Sequence, residues 1–315
     1  MKFDSLSKFI IYFKDEQTCR EHLEKVVWNG QPTCPYCGSS KVYAFKDKKT
    51  YKCATKDCNK RFNVLKGSIF ESSNIGLQNW FIAIYLLTMN KKGISSYQLA
   101  RDLDITQKTA WFLLHRIRKA LRKAPEGFTN IVEVDETYVG GKNKNRHYNK
   151  RKKHIQGRSV TDKIPVFGIL ERGGDVYTSK VKDVTSKSLK KIIFQYVKKG
   201  AHIMSDEWFA YRGLNFRYDH SVVEHGRYQY VKGDCYTNSL EGYWSLAKRS
   251  ILGIYHFISR KHTDSYFGEF DFRYNNRKTV NREDMFNSIL FNGKNKRLSY
   301  KDLIFSVPIP KIILF

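Results

Sequence analysis

Hydrophobic and polar positions divide this chain into two regimes. From Leu77 to Asn90 the apolar residues Trp80, Phe81, Ile84 and Leu87 recur at spacings of three and four, the period of a core helix. Ile131–Val139 alternates instead, with Val132 and Val134 on one face and Glu133, Asp135 and Thr137 on the other, as a strand does. Ahead of both, Phe9, Ile10, Tyr12 and Phe13 and the segment Glu16–Val27 read as a helical lead-in. Beyond them come two strands, Ile164–Leu170 and Val176–Val181, joined by a Gly173-Gly174 hairpin turn. Thr185–Lys199 is an amphipathic helix with Leu189, Ile192, Ile193, Tyr196 and Val197 facing inward. Short strands follow at Ala201–Met204 and Ser221–Val223, then helices over Thr237–Arg249 and His262–Tyr274. Residues 291–315, basic and then apolar, have no assignable period.

The period changes across Ala124-Pro125-Glu126-Gly127, which is read as a domain boundary. The expected organisation is a helical lead-in (1–28), a metal-binding ribbon (29–67), a helical domain (68–126), an α/β domain (127–290) and a tail (291–315). In the α/β domain the order is three antiparallel strands, a helix, a strand, a short helical piece, a strand and a helix. That is the order of a ribonuclease-H-like mixed sheet, provided that the first and fourth strands are neighbours. The fold class is therefore an α/β multidomain chain.

Composition adds a partner. Lys plus Arg number 57 against 30 Asp plus Glu, a net charge of +27, in a chain with 15% aromatic residues. Such an excess on folded domains points to a polyanion, because neutralising phosphates releases condensed counterions. The longest apolar runs, such as Trp80–Leu87, fall far short of the ~20 residues that a bilayer crossing needs, and the N-terminus has no cleavage-site pattern. A cytoplasmic location and no membrane partner are expected.

Of six cysteines, Cys34, Cys37, Cys53 and Cys58 crowd together, while Cys19 and Cys235 stand alone. Two knuckles, Cys34-x2-Cys37 and Cys53-x4-Cys58, joined by strand-like Lys41–Phe45 and Thr50–Lys52, suit one tetrahedral zinc. Four thiolates leave no open position, so the expected role is structural. Tyr36, Tyr43, Tyr51 and Phe62 are expected to pack around the metal, and Cys19 to be a small packed hydrophobe. Next, Ser95 or Ser96 caps one helix and Thr106 a second, Gln107–Arg122, across a short turn. As a helix-turn-helix this pair would present Gln107, Lys108 and Thr109 to a DNA major groove; as a plain helical hairpin it would not. Lys142–Lys163, with nine Lys or Arg and one Asp, is either a clamp on the DNA backbone or a solvated loop.

The helix over Thr237–Arg249 has two faces. Leu240, Tyr243, Ala247 and Ile251 form the apolar one; Glu241, Ser245 and Lys248, with Arg249 beside it, form the other. Asn238 followed by Glu241 is close to a capping box, which would turn Glu241 toward the backbone. The alternative is a metal ligand, with Asn238 as the cap. Strand order favours the second, since it sends Asp135, Asp206 and Glu241 to one end of the sheet. Three such carboxylates suit hard divalent cations, with Lys248 and Arg249 facing phosphates. Glu136 and Glu207 adjoin the two aspartates; alternation puts Glu136 on the valine face and leaves Glu133 on the Asp135 face.

The words Val-Asp-Glu-Thr-Tyr-Val-Gly-Gly (134–141), Ser-Asp-Glu-Trp (205–208), Tyr-Thr-Asn-Ser-Leu-Glu-Gly-Tyr-Trp-Ser-Leu-Ala-Lys-Arg (236–249) and Phe-Arg-Tyr-Asn-Asn-Arg (272–277) resemble those of DDE-type bacterial insertion-sequence transposases related to Merlin transposons. That group also carries an N-terminal zinc ribbon. The resemblance implies binding to double-stranded DNA at terminal inverted repeats, cleavage there, and attack of the freed 3′-hydroxyl on target DNA. It implies Mg²⁺ or Mn²⁺ held by Asp135, Asp206 and Glu241, a homo-oligomeric synaptic complex, and a bacterial, nucleoid-associated location. Some relatives have Asn or His at the third position, where this chain keeps Glu241. His225 stands where the group often has a His, either beside the phosphate or in a structural hydrogen bond. Two other classes compete: a DNA-binding regulator with an inert C-terminal half, and a nuclease that cuts without joining.

Overall fold

The computed structural model describes residues 3–141, 147–151, 163–223 and 237–305; His225, Cys235 and most of the basic stretch 142–163 lie outside them. The helices are α1 (Leu6–Tyr12), α2 (Glu16–Trp28), α3 (Leu77–Met89), α4 (Ser96–Asp102), α5 (Gln107–Leu121), α6 (Ser186–Tyr196), α7 (Asn238–Ser250), α8 (Thr263–Asn275), α9 (Arg282–Asn292) and α10 (Tyr300–Ile304). The strands are β1 (Val42–Ala44), β2 (Tyr51–Cys53), β3 (Arg61–Phe62), β4 (Ile131–Val139), β5 (Ile164–Glu171), β6 (Val176–Lys180), β7 (His202–Asp206) and β8 (Asp219–Val223). They form two compact units, one from Met1–Asn90, Ile94–Leu121 and Thr279–Phe315, the other from Lys91–Gly93 and Arg122–Lys278. Among the described residues no helix is long and apolar enough to cross a membrane.

The first unit holds the antiparallel β1-β2-β3 sheet and a helical core. That core is aromatic: Phe13 meets Phe81 edge-on at 4.8 Å, and Phe81 meets Phe286 at 5.2 Å. Such contacts add to the large apolar area that each ring buries. Phe286 belongs to α9, a helix not assigned above; its buried residues Phe286, Ile289 and Leu290 recur at spacings of three and four, while Phe291 stands exposed on its outer side. α9 lies almost wholly ahead of the unassigned tail, in residues expected in the α/β domain but grouped here with the first unit; the tail itself contains the short helix α10. Cys19 is fully buried, and burial pushes its thiol up to about 12, as befits a packed hydrophobe.

The second unit is a five-stranded mixed sheet in the order β6-β5-β4-β7-β8. β4-β5-β6 run antiparallel and β4-β7-β8 parallel, so the first and fourth strands are neighbours, as a ribonuclease-H-like fold requires. Alternation along the strands supplies a core on each face. Val132, Val134, Phe167 and Ile169 pack with Leu189 and Ile193 of α6. Val139, Val166, Leu170 and Val176 pack with Leu240, Tyr243 and Trp244 of α7 and with Phe267 and Phe270 of α8. With both faces covered, the sheet is a rigid support for whatever stands at its edge.

Candidate functional site

The ribbon cysteines come together first. One ligand atom from each of Cys34, Cys37, Cys53 and Cys58 lies within 4.8 Å of every other. Cys34 Sγ is 3.7 Å from Cys58 Sγ, and Cys37 Sγ is 3.6 Å from Cys53 Sγ. A tetrahedron with Zn–S bonds of about 2.3 Å has edges of about 3.8 Å, so the four sulfurs fit zinc. Tyr51 and Phe62 stack at 5.9 Å and pack against Trp28, but Tyr36 and Tyr43 are exposed rather than gathered at the metal. Tyr36 instead lies under the Lys60 ammonium, 4.9 Å away.

Ser95, not Ser96, caps α4, accepting from the Gln98 amide, and Thr106 Oγ1 accepts from the Thr109 amide at the start of α5. The turn between them passes through Asp104 with φ +49°. Each candidate base reader has an intramolecular partner here. Gln107 donates to Ser96 Oγ at 2.8 Å, Thr109 pairs with Thr106, and Lys108 sits 4.9 Å above the Tyr300 ring.

The acids meet in the second unit. The β4–β7 ladder pairs Glu133 with Met204, and two residues further along each strand stand Asp135 and Asp206. α7 crosses the same sheet face, and Glu241 on its outer side joins them: all three line one cleft of about 840 Å³, with Glu136, Glu207 and Lys248. Arg249 does not line it; its guanidinium folds back onto the Ser245 carbonyl. Asp206 Oδ1 accepts from the Trp208 amide at 3.1 Å, which orients the carboxylate at the strand end.

Asp135 is held harder. Burial, then the charges of Glu136 and Asp206, push its carboxyl up to about 7, partly offset by the Trp244 indole N–H donating to Oδ2 at 2.9 Å. Negative charge collected this closely fits a divalent cation, which would relieve the repulsion and take hard oxygen donors. Glu136 turns largely away, accepting from the buried Tyr211 hydroxyl at 2.7 Å, on the valine face.

Asn238 does not cap α7. The N-cap is Thr237, which makes no side-chain cap bond, and Asn238 is the first helical residue. The Leu240 amide donates instead to Glu133 Oε2 at 2.9 Å, so a strand carboxylate does the capping. The other Glu133 oxygen accepts from Arg172 Nε at 2.9 Å. A capping box involving Glu241 is thereby ruled out.

Two contributors were not read from the sequence. Trp244 looks like one more core aromatic, and only the fold shows its indole N–H on Asp135. Gly168 pairs with Asp135 across the β4–β5 ladder, directly beneath α7. A Cβ there would stand 2.6 Å from Trp244 Cζ2 and 3.1 Å from Leu240 Cδ1. A glycine inside an otherwise apolar strand was the available signal, because it marks a close approach.

Known proteins bear on both halves. Residues 127–275 match the family model of the ISXO2-like transposase domain, and residues 14–61 match the transposase zinc-ribbon domain of the same IS1595 group. An uncharacterized protein in transposable element ISH50 of Halobacterium salinarum is 28% identical over 247 residues, 75% of this chain and 83% of that protein. An uncharacterized transposase-like protein of Haemophilus influenzae is 29% identical over 102 residues, 32% of this chain and 81% of its own length.

Proposed function

The chain belongs to the IS1595 family of DDE transposases with an N-terminal zinc ribbon, and from that premise we propose that it cuts and joins DNA at the cleft of Asp135, Asp206 and Glu241. The observation that carries the proposal is the convergence of three acids from β4, β7 and α7 on one cleft. Asp135, Asp206 and Glu241 would hold divalent cations, Mg²⁺ or Mn²⁺. When bound, these would polarise the attacking oxygen and stabilise the leaving one during in-line displacement.

The chain's own residues do the positioning. Trp244 fixes the Asp135 carboxylate, and the Trp208 amide fixes that of Asp206. Lys248, two turns beyond Glu241 on the same helix face, offers a cation to the phosphates flanking the scissile bond. Two displacements follow at phosphorus. Water first breaks the bond to the 3′-oxygen at the element end; that 3′-hydroxyl then forms a bond to a target phosphorus, whose own 3′-oxygen leaves.

The substrates are double-stranded DNA ends with terminal inverted repeats and a target duplex. The helix pair α4–α5 is the proposed end-binding element, with Lys108 as the most accessible of its three candidate readers. The zinc ribbon is the structural part, and synapsis of two ends calls for a homo-oligomer.

A labelled, pre-cleaved end offered to target DNA tests the proposal. The wild-type chain should join it in Mg²⁺ or Mn²⁺, and Asp206→Ala should bind the end without joining it. Cutting without joining by the wild type would identify a nuclease instead. Full joining by Glu241→Ala would remove the site.

A further inference from the structure

Glu133 is fully buried and does not line the cleft, yet both its oxygens are engaged between the elements that build it. A helix leaves its first N–H groups without internal acceptors. In α7 the N-cap side chain offers no bond, and Glu133 Oε2 takes the Leu240 amide. A carboxylate at that place also meets the positive end of the helix dipole. Its charge is balanced by Arg172, itself only 14% exposed, whose backbone amide donates to Ile131 of β4.

The register makes this more than a cap. Glu133 and Asp135 share one face of β4, two residues apart, so they move as one rigid piece. Leu240 immediately precedes Glu241, and Trp244, three residues after it, donates to Asp135. Glu241 is therefore held between two ties to the single strand that carries Asp135.

We propose that Glu133 is a positioning residue: with Arg172 it locks the first turn of α7 to β4 and so sets where Glu241 stands relative to Asp135 and Asp206. The inference rests on reading those three acids as a divalent-cation site. Glu133 touches neither cation nor DNA; it acts through the Leu240 amide.

Length and charge of the side chain separate this role from a general electrostatic one. Glu133→Asp keeps the charge opposite Arg172 but withdraws the acceptor from Leu240 by one methylene. The double variant E133Q/R172Q removes both charges but keeps an oxygen of the right reach for Leu240. Full-length, zinc-loaded proteins are titrated with Mn²⁺, following the free-ion resonance, and their Mn²⁺-free forms are compared by amide hydrogen exchange.

Glu133→Asp should weaken Mn²⁺ binding roughly tenfold, the low end for partners that orient a metal ligand, and E133Q/R172Q should stay within about threefold of wild type. Exchange in the first turn of α7 should rise in Glu133→Asp, with β4 and β5 unchanged. Wild-type Mn²⁺ affinity in Glu133→Asp, or an equal loss in the double variant, would overturn the inference. Should the double variant not fold, Glu133→Asp and its exchange pattern decide alone. Glu241→Gln is the control: if it too binds Mn²⁺ like wild type, the cation reading itself fails and the positioning role falls with it.

Discussion

Cys34 and Cys58 face each other across 24 residues of chain, whereas the Asp135–Trp244 bond in the cleft closes a loop of 109. The ribbon around the cysteines consists of strands of three, three and two residues. So little structure buries too little apolar surface to fold by itself, and the metal must hold it. The cleft is the reverse. Its acids stand on a sheet with a closed core on either face, and packing brings them together against their own repulsion. In one region a bound ion would make the structure; in the other the structure stands without the proposed ion.

Metal removal should separate the two most sharply. Stripping zinc with a strong chelator, or Cys34→Ser with Cys58→Ser, forfeits roughly 10 kcal/mol or more of binding free energy. Hydrogen exchange across β1–β3 should then approach unfolded rates, with protection in β4 and β5 unchanged. Loss of protection in the sheet as well would break the contrast. Removing Mg²⁺ alone should alter neither region.

The complementary change is Glu241→Ala. It stands at the exposed edge of α7, so stability should change by no more than about 0.5 kcal/mol, the usual range for a surface site. Cleavage and joining should fall by more than about 100-fold, beyond what loss of an outer-shell partner costs. A large loss of stability would show that the acid belongs to the fold rather than to the cleft.

The same contrast governs what could be read from the sequence. Cysteine spacing is local, so the ribbon cluster was legible, although Tyr36 and Tyr43 are exposed where packing around the metal was expected. Alternation placed β4 from Ile131 to Val139, and strand order carried the acids to one edge. The start of α7 was misread because its true acceptor, Glu133, is 107 residues away, and no local rule weighs that against Asn238. α9 carries a short helical stripe in Phe286, Ile289 and Leu290, but that this stripe packs with the N-terminal helices shows only in the fold, where Phe286 meets Phe3, Phe13 and Phe81.

Gly168→Ala tests how tightly packing sets the cleft. Alanine in place of a strand glycine normally gains about 0.5–1 kcal/mol from the unfolded side. Here the added Cβ would lie 2.6 and 2.8 Å from the Trp244 ring, which cannot retreat without leaving Asp135. Overpacking of this kind costs about 1–3 kcal/mol, so the net sign is destabilising. A urea titration of the sheet unit should show it, with Mn²⁺ affinity falling in parallel and the ribbon unaffected. A stabilised variant would mean that α7 rides on the sheet more loosely than its contacts indicate.

Lys248→Ala should have the smallest effect, and it separates the proposed DNA contact of the cleft from its proposed metal binding. The side chain is exposed on the Glu241 face of α7, so its loss should change neither stability nor Mn²⁺ binding. If it meets one phosphate, the slope of log affinity against log salt should become shallower by about 0.9, the contribution of one released counterion. Arg249→Ala supplies the comparison on the neighbouring residue. Arg249 does not line the cleft and bonds to the Ser245 carbonyl, so removing it should leave the salt slope of end binding unchanged. An equal shallowing in the two variants would mean that the phosphate path crosses α7 rather than following the cleft, and that the acids and the DNA share less geometry than the proposed chemistry requires.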